Sequence, residues 1–272
     1  MAAAFRRTKR ERYNTVVRSF LRVLAVVLVV APSGGAQPQV VPVLVELFTS
    51  EGCRDCPPAD TVLQNLIEAS PVTGVQVVGL GQHVDYWDRL GWKDRFSSAA
   101  LTDRQRAYAT RFASESIYTP QMVVDGRAEF VGSDASAARK ALERAVKTMH
   151  GAVKIEVQAA AANRMPVTVV VRDLPSLDRG DHADILVAVT EDGLRSSVTR
   201  GENNGKLLRH AAVVRSMTTI GEAAATGGEA RAEIPIASDW RRDSLKVVAF
   251  VQARKTRAVL ASAAVPLTIQ AR

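Results

Sequence analysis

Cysteine is scarce in this chain. The 272 residues hold two, Cys53 and Cys56, three positions apart. No crosslink between distant segments is available. Long apolar runs are scarce as well. The run "FLRVLAVVLVVA" at 20–31 is about twelve residues, short of the roughly 20 that a membrane-spanning helix needs. The body of the chain also lacks net charge. The formal total is +8, but residues 1–36 hold seven Lys/Arg and one acid, leaving 29 basic and 27 acidic residues beyond them. A near-neutral body gives no basis for binding a phosphate backbone, so nucleic acid is not an expected partner. There is no repeat of 20–50 residues and no low-complexity tail.

The N-terminus carries what the body lacks. A basic stretch runs into the apolar segment and then into "PSGGAQP". That order reads as a secretory signal over 1–36, with cleavage after Ala36. No cysteine follows the apolar run closely, which argues against a lipoprotein. The expected location is outside the cytosol, periplasmic or secreted, with no stable membrane span after signal removal. Outside the cytosol thiols tend to pair, so a CxxC is not by default half a zinc site.

Two textures follow. "VPVLVELFT" (41–49) and "VQVVGLGQHV" (75–84) are apolar and β-branched, as buried strands are. Between them Ala59, Val62, Leu63, Leu66 and Ile67 share one helical face. Pro57 and Pro58 suit the first helical turn, where N–H groups lack partners. Ser98 is placed to cap a helix over 99–113. Asp125-Gly126 marks a hairpin within 117–133, and Asp134 caps a last helix. A strand–helix–strand start implies a parallel pair with a crossover helix. From Gly151 the chain changes to seven or more strand-like runs separated by turns, the pattern of a β-sandwich. The expectation is an α/β domain over 37–150 followed by an all-β, sandwich-like domain over 151–272.

Within "FTSEGCRDCPPAD" (48–60) the expected geometry puts Cys53 in a turn after a strand and Cys56 at a helix N-terminus. Backbone N–H groups and the helix dipole stabilise a thiolate there. An ordinary thiol, with pKa about 8.5, is about 3% ionised at pH 7; one lowered to about 7 is half ionised. A loop closed over so few residues contributes roughly 2 kcal/mol as a staple, against about 3 for fifteen residues. A redox-active dithiol, a structural disulfide and a metal site all remain open, with the dithiol favoured.

"VELFTSEGCRDCPPAD", "HVDYWDRLGWKDRFSS", "RQRAYA" and "YTPQMVVDGRAEFVGS" resemble the exported thioredoxin-like family known as domain of unknown function 1223. The resemblance covers roughly residues 41–268 and implies a thioredoxin fold for the α/β part. By the thioredoxin pattern, Cys53 is the exposed attacking thiol and Cys56 the buried resolving one. Thr119-Pro120 takes the place of a cis-proline loop that faces the dithiol and aligns substrate. Glu46, an acid in an apolar strand, takes the place of the buried proton carrier. The chain departs from that pattern by one extra residue between acid and cysteine, by Glu for Asp, by Arg54-Asp55 between the cysteines, and by lacking a tryptophan before Cys53. Glu46 is equally readable as a structural acid bonded to a basic partner.

His83 ends the second strand, beside Asp85, Tyr86, Trp87 and Asp88. Strand C-terminal ends share a rim with the CxxC turn, so His83 and Asp85 are candidates to tune the thiols or move protons. His83 with both sulfurs would also make a soft Cu(I) site. The plainer reading has them bonding loop backbone while Trp87 and Trp92 pin the loop. Asp60 suits the first helical turn. His150, His182 and His210 have no partner at ligand spacing, and "ENNGKLLRH" reads as a turn entering a strand. The leading functional expectation is an exported thiol–disulfide oxidoreductase acting on a protein dithiol or disulfide, without a cofactor. The alternatives are a non-catalytic binding module and a Cu(I)-binding or delivery protein using Cys53, Cys56 and His83.

Overall fold

A computed structural model describes residues 40–158 and 163–267. The segment read as an export signal, 1–36, lies outside the described residues. Strand β1 (Val41–Thr49) is buried from Val43 onward on both faces, because helices cover both. Alternation sends Val43, Val45 and Leu47 to one face, against helix α1 (Pro57–Glu68) and helix α3 (Ala135–Ala145). It sends Leu44 and Phe48 to the other, where helix α2 (Ala99–Phe112) packs with Leu101 and Tyr108. Pro57 and Pro58 open α1 directly after Cys56. The Ser98 side chain accepts from the Leu101 N–H to cap α2, and the Asp134 side chain accepts from the Ala137 N–H to cap α3. Each cap supplies an acceptor to a helical donor that has no partner within the helix.

Strand β2 (Val75–His83) runs parallel to β1 with Thr49 beside His83. The CxxC loop and the chain leaving His83 therefore start from neighbouring strand ends. Strands β3 (Gln121–Val124) and β4 (Ala128–Val131) form a hairpin around Asp125 and Gly126, both at positive φ. Nine strands follow: β5 (Ala152–Val157), β6 (Arg164–Arg172), β7 (Ala183–Glu191), β8 (Leu194–Ser197), β9 (Leu207–His210), β10 (Val213–Ala223), β11 (Gly228–Pro235), β12 (Leu245–Ala253) and β13 (Val259–Pro266).

The expected division into an α/β thioredoxin-like domain and a separate all-β domain is not what these elements build. The protein is mostly β, 43% strand against 19% helix, with three helices among the described residues. Strands of both halves join one mixed eight-stranded sheet in the order β13-β12-β7-β10-β2-β1-β3-β4. The seam lies where β10 runs parallel to β2, with Val213 opposite Gly81 and the Gly81 N–H donating to Ala212 O at 2.7 Å. A Cβ on Gly81 would stand 2.7 Å from Ala211 O, so glycine is what lets the second half approach. Gly126 does the same at the β3–β4 turn, where a Cβ would stand 1.9 Å from Arg257 O. Joining the strands uses backbone groups that would otherwise form an open sheet edge.

A second sheet, β11-β6-β5, covers the β7/β12/β13 end and encloses an apolar core that includes Ile185, Val247, Val169 and Ile234. Each such side chain contributes about 1.5–3 kcal/mol on burial. The β8–β9 hairpin stands apart as a two-stranded sheet and packs on α1. Among the described residues no helix is long and apolar enough to cross a membrane.

Candidate functional site

Cys53 and Cys56 form a disulfide with Cα atoms 5.4 Å apart. Cys56 is the N-cap residue of α1, and the next two N–H positions are prolines. Both cysteines are 1% exposed, so the expected exposed attacking sulfur is covered. The residues between them are not: the Arg54 and Asp55 side chains lie open to solvent, 3.9 Å apart.

The cover comes from the β8–β9 loop. The fully buried Asn203 donates from Nδ2 to the carbonyls of Glu51 and Cys53, each at 2.9 Å. The Arg54 N–H donates to Glu202 Oε2 at 3.2 Å, and Gly201 lies against Trp92. On the other side, Trp87 packs on Gly52 and donates its indole N–H to Thr119 Oγ1 at 2.8 Å. The Thr119–Pro120 peptide is cis. Three loops thus meet around one short turn.

Behind that turn lies a buried cluster of acids and histidines. His83 Nδ1 is 2.6 Å from Asp94 Oδ2, which also accepts the Glu51 N–H at 2.9 Å. His210, at the end of β9, has Nδ1 3.2 Å from Asp60 Oδ1 and Nε2 3.3 Å from Glu51 Oε1. The Glu51 contact is an ion pair without hydrogen-bond geometry. Trp92 Nε1 donates to Glu51 Oε2 at 2.7 Å, and Thr49 Oγ1 donates to Asp60 Oδ2 at 2.9 Å. The two imidazoles meet edge to face with centroids 4.8 Å apart, and Phe96 closes the side. Burial opposes charge on His210, yet Asp60 and Glu51 outweigh it and push its pKa up to about 9. Burial raises the Asp94 and Glu51 carboxyls, but their partners, led by His83 and His210 respectively, hold both below the usual range.

Residues 44–252 match the family model described as a protein of unknown function, DUF1223. The chain belongs to the DUF1223 family. It is similar in fold to protein AGR_C_4864 from Agrobacterium tumefaciens, with 23% identity and a TM-score of 0.65 over 87% of this chain and 98% of that one. It is also similar to HBP35 of Porphyromonas gingivalis, with 14% identity and a TM-score of 0.61 over 84% of this chain and 76% of that one. At these identities the likeness concerns the fold alone. No curated protein matches.

Other sequence-predicted residues of this DUF1223 chain have their own partners. Glu46 points to the α2 face, where Arg104 holds it bidentately at 2.6 and 2.9 Å. Gln82 donates to it at 2.6 Å, and the Tyr108 hydroxyl is a further donor. Burial raises the carboxyl, but Arg104 brings it below its ordinary value. These contacts match the structural alternative for Glu46, and no sulfur is among its hydrogen-bond partners. Asp85 is tied to α2, accepting from Thr102 Oγ1 at 2.6 Å, while His83 turns to Asp94 instead. The sulfurs of the expected copper set are bonded to each other. Sequence reasoning missed Glu51, Asp94, Asn203 and His210. The "DRF" at 94–96 and the "ENN" at 202–204 were visible, but no spacing rule connects them to a turn 40 or 150 residues away.

Proposed function

We propose that this protein is an exported thiol–disulfide oxidoreductase working through Cys53 and Cys56 on protein dithiols or disulfides. The observation that carries the reading is the pairing of the chain's two cysteines at the start of α1, beneath the β8–β9 loop. Such a short loop contributes little as a staple, roughly 2 kcal/mol. The helix start favours a thiolate once the bond is reduced. Export rests on the basic leader and short apolar run.

In the reductive direction the Cys53 thiolate attacks a substrate disulfide. One S–S bond breaks, a Cys53–substrate S–S bond forms, and the leaving thiolate takes a proton. The Cys56 thiolate then attacks Cys53 Sγ and releases the second substrate thiol. Two electrons pass to the substrate and the Cys53–Cys56 bond is restored. An external dithiol returns the pair to the reduced state. The opposite direction oxidises a substrate dithiol by the same steps. Either direction requires the 198–206 loop to lift, because both cysteines are covered.

The test is insulin reduction and refolding of reduced ribonuclease by the purified protein, with Cys53→Ser as control. Activity lost in the control supports the proposal. Absence of activity above that control overturns it in favour of a non-catalytic binding module. Asn203→Ala should make the disulfide react several-fold faster with dithiothreitol, since it removes two ties on the turn.

A further inference from the structure

The acid–histidine cluster does not need the sulfurs to do chemistry. We infer that Asp60, His83 and His210 form a site for one borderline divalent metal ion of the zinc type, held by two imidazoles and a carboxylate. The three residues come from α1, from the end of β2 and from the end of β9, and all are buried. Each offers a ligand atom, and these atoms lie within 4.8 Å of one another. Ligand atoms about 2.0–2.1 Å from a shared zinc ion stand roughly 3.3 Å apart in a tetrahedron, so a modest contraction closes the shell.

Three further observations point to a cation. First, His83 Nε2 is buried without a hydrogen-bond partner. Leaving a buried polar atom without a partner is unfavourable. With Nδ1 committed to Asp94, Nε2 is the nitrogen His83 has free. Second, the cluster is negative. Glu51, Asp60 and Asp94 are three buried carboxylates whose ion pairs are with His83 and His210, so the sum stays negative even with both rings protonated. Third, each histidine has a carboxylate behind it. Asp94 takes the Nδ1 side of His83. Glu51 faces His210 Nε2 while Nδ1 faces Asp60. A carboxylate on the far nitrogen fixes the tautomer and orients the ring towards a metal. An N2O donor set suits borderline divalent ions better than Cu(I), which prefers sulfur. His210 also lines a cavity of about 270 Å³ beside Gln64 and Arg209.

Zinc alone, added to the oxidised full-length protein, is the probe. The expected result is one ion per chain by competition with a chromophoric chelator, a raised Tm, and an X-ray absorption spectrum with imidazole and oxygen ligands and no sulfur. His83→Gln should abolish the binding, and Asp94→Asn, acting through His83, should weaken it about 10–100-fold. Cys53→Ser with Cys56→Ser should leave it intact, which separates this site from the redox proposal. A sulfur-containing shell, no stoichiometric zinc on the wild-type protein, or wild-type affinity in a His83→Gln/His210→Gln variant would each overturn the inference. The spectrum and the Tm are read on the wild type, so the test survives variants that fail to fold.

Discussion

Glu46 and Arg104 are charges placed inside an apolar layer, and their stability depends on each other. The carboxylate takes two guanidinium nitrogens, Gln82 and Tyr108, and Gln252 accepts from Arg104 Nη1 at 2.9 Å. Removing one member of such a pair leaves a buried charge without compensation, at about 3–5 kcal/mol. Arg104→Met should lose that much in urea unfolding, and Glu46→Met/Arg104→Met together should lose clearly less than Arg104→Met alone. A single-variant loss under about 1 kcal/mol, the scale of an exposed pair, would contradict the network. His150 gives a pH signature. Its Nε2 is 2.7 Å from Asp125 Oδ2, and the Asp125 hydrogen bond raises its pKa against the opposing effect of burial. A pKa raised on folding adds stability in full below the ordinary value of about 6.5, and that stability fades as pH rises through the folded value. His150→Gln should therefore cost more at pH 5.5 than at pH 9 in urea melts. An equal cost at both would remove the charge from the account.

Elements were legible wherever the signal is local. Continuous apolar, β-branched runs marked β1 and β2, proline placed the start of α1, Ser98 and Asp134 placed two helix caps, and Asp125-Gly126 placed the hairpin. The change of texture after Gly151 marked the strand-rich half correctly as strands. What no local pattern carries is which strand edges meet. Nothing in the local pattern of 75–84 singles out Gly81, yet it is where β10 joins β2. The same holds for the site. The cysteine pair and Pro120 were readable, whereas Asn203 and His210 reach it through the β8–β9 hairpin. Gly81→Val tests the seam. Its side chain would press on a backbone carbonyl, which cannot rotate away, and overpacking of this kind costs about 1–3 kcal/mol. A lower unfolding midpoint is expected; an unchanged one would mean that the seam gives way freely.

At the scale of the molecule, one sheet shared by both halves predicts one cooperative unfolding event. Trp87 and Trp92 report on the loops around the disulfide, and Trp240 packs against the second core. A Trp240→Phe variant and a Trp87→Phe/Trp92→Phe variant should show fluorescence transitions at the same denaturant concentration as the circular dichroism of each. Separate midpoints would restore two independent halves. The shared architecture also means that the far half guards the cysteines, since the loop over the disulfide belongs to it. The central claim, that Cys53–Cys56 is a working redox pair, is tested most directly by equilibrating the protein in defined thiol–disulfide buffers and counting free thiols. The account predicts a two-electron couple with a midpoint between about −270 and −120 mV, the span of working dithiols. A disulfide that stays closed below about −300 mV, where structural bonds lie, would contradict it.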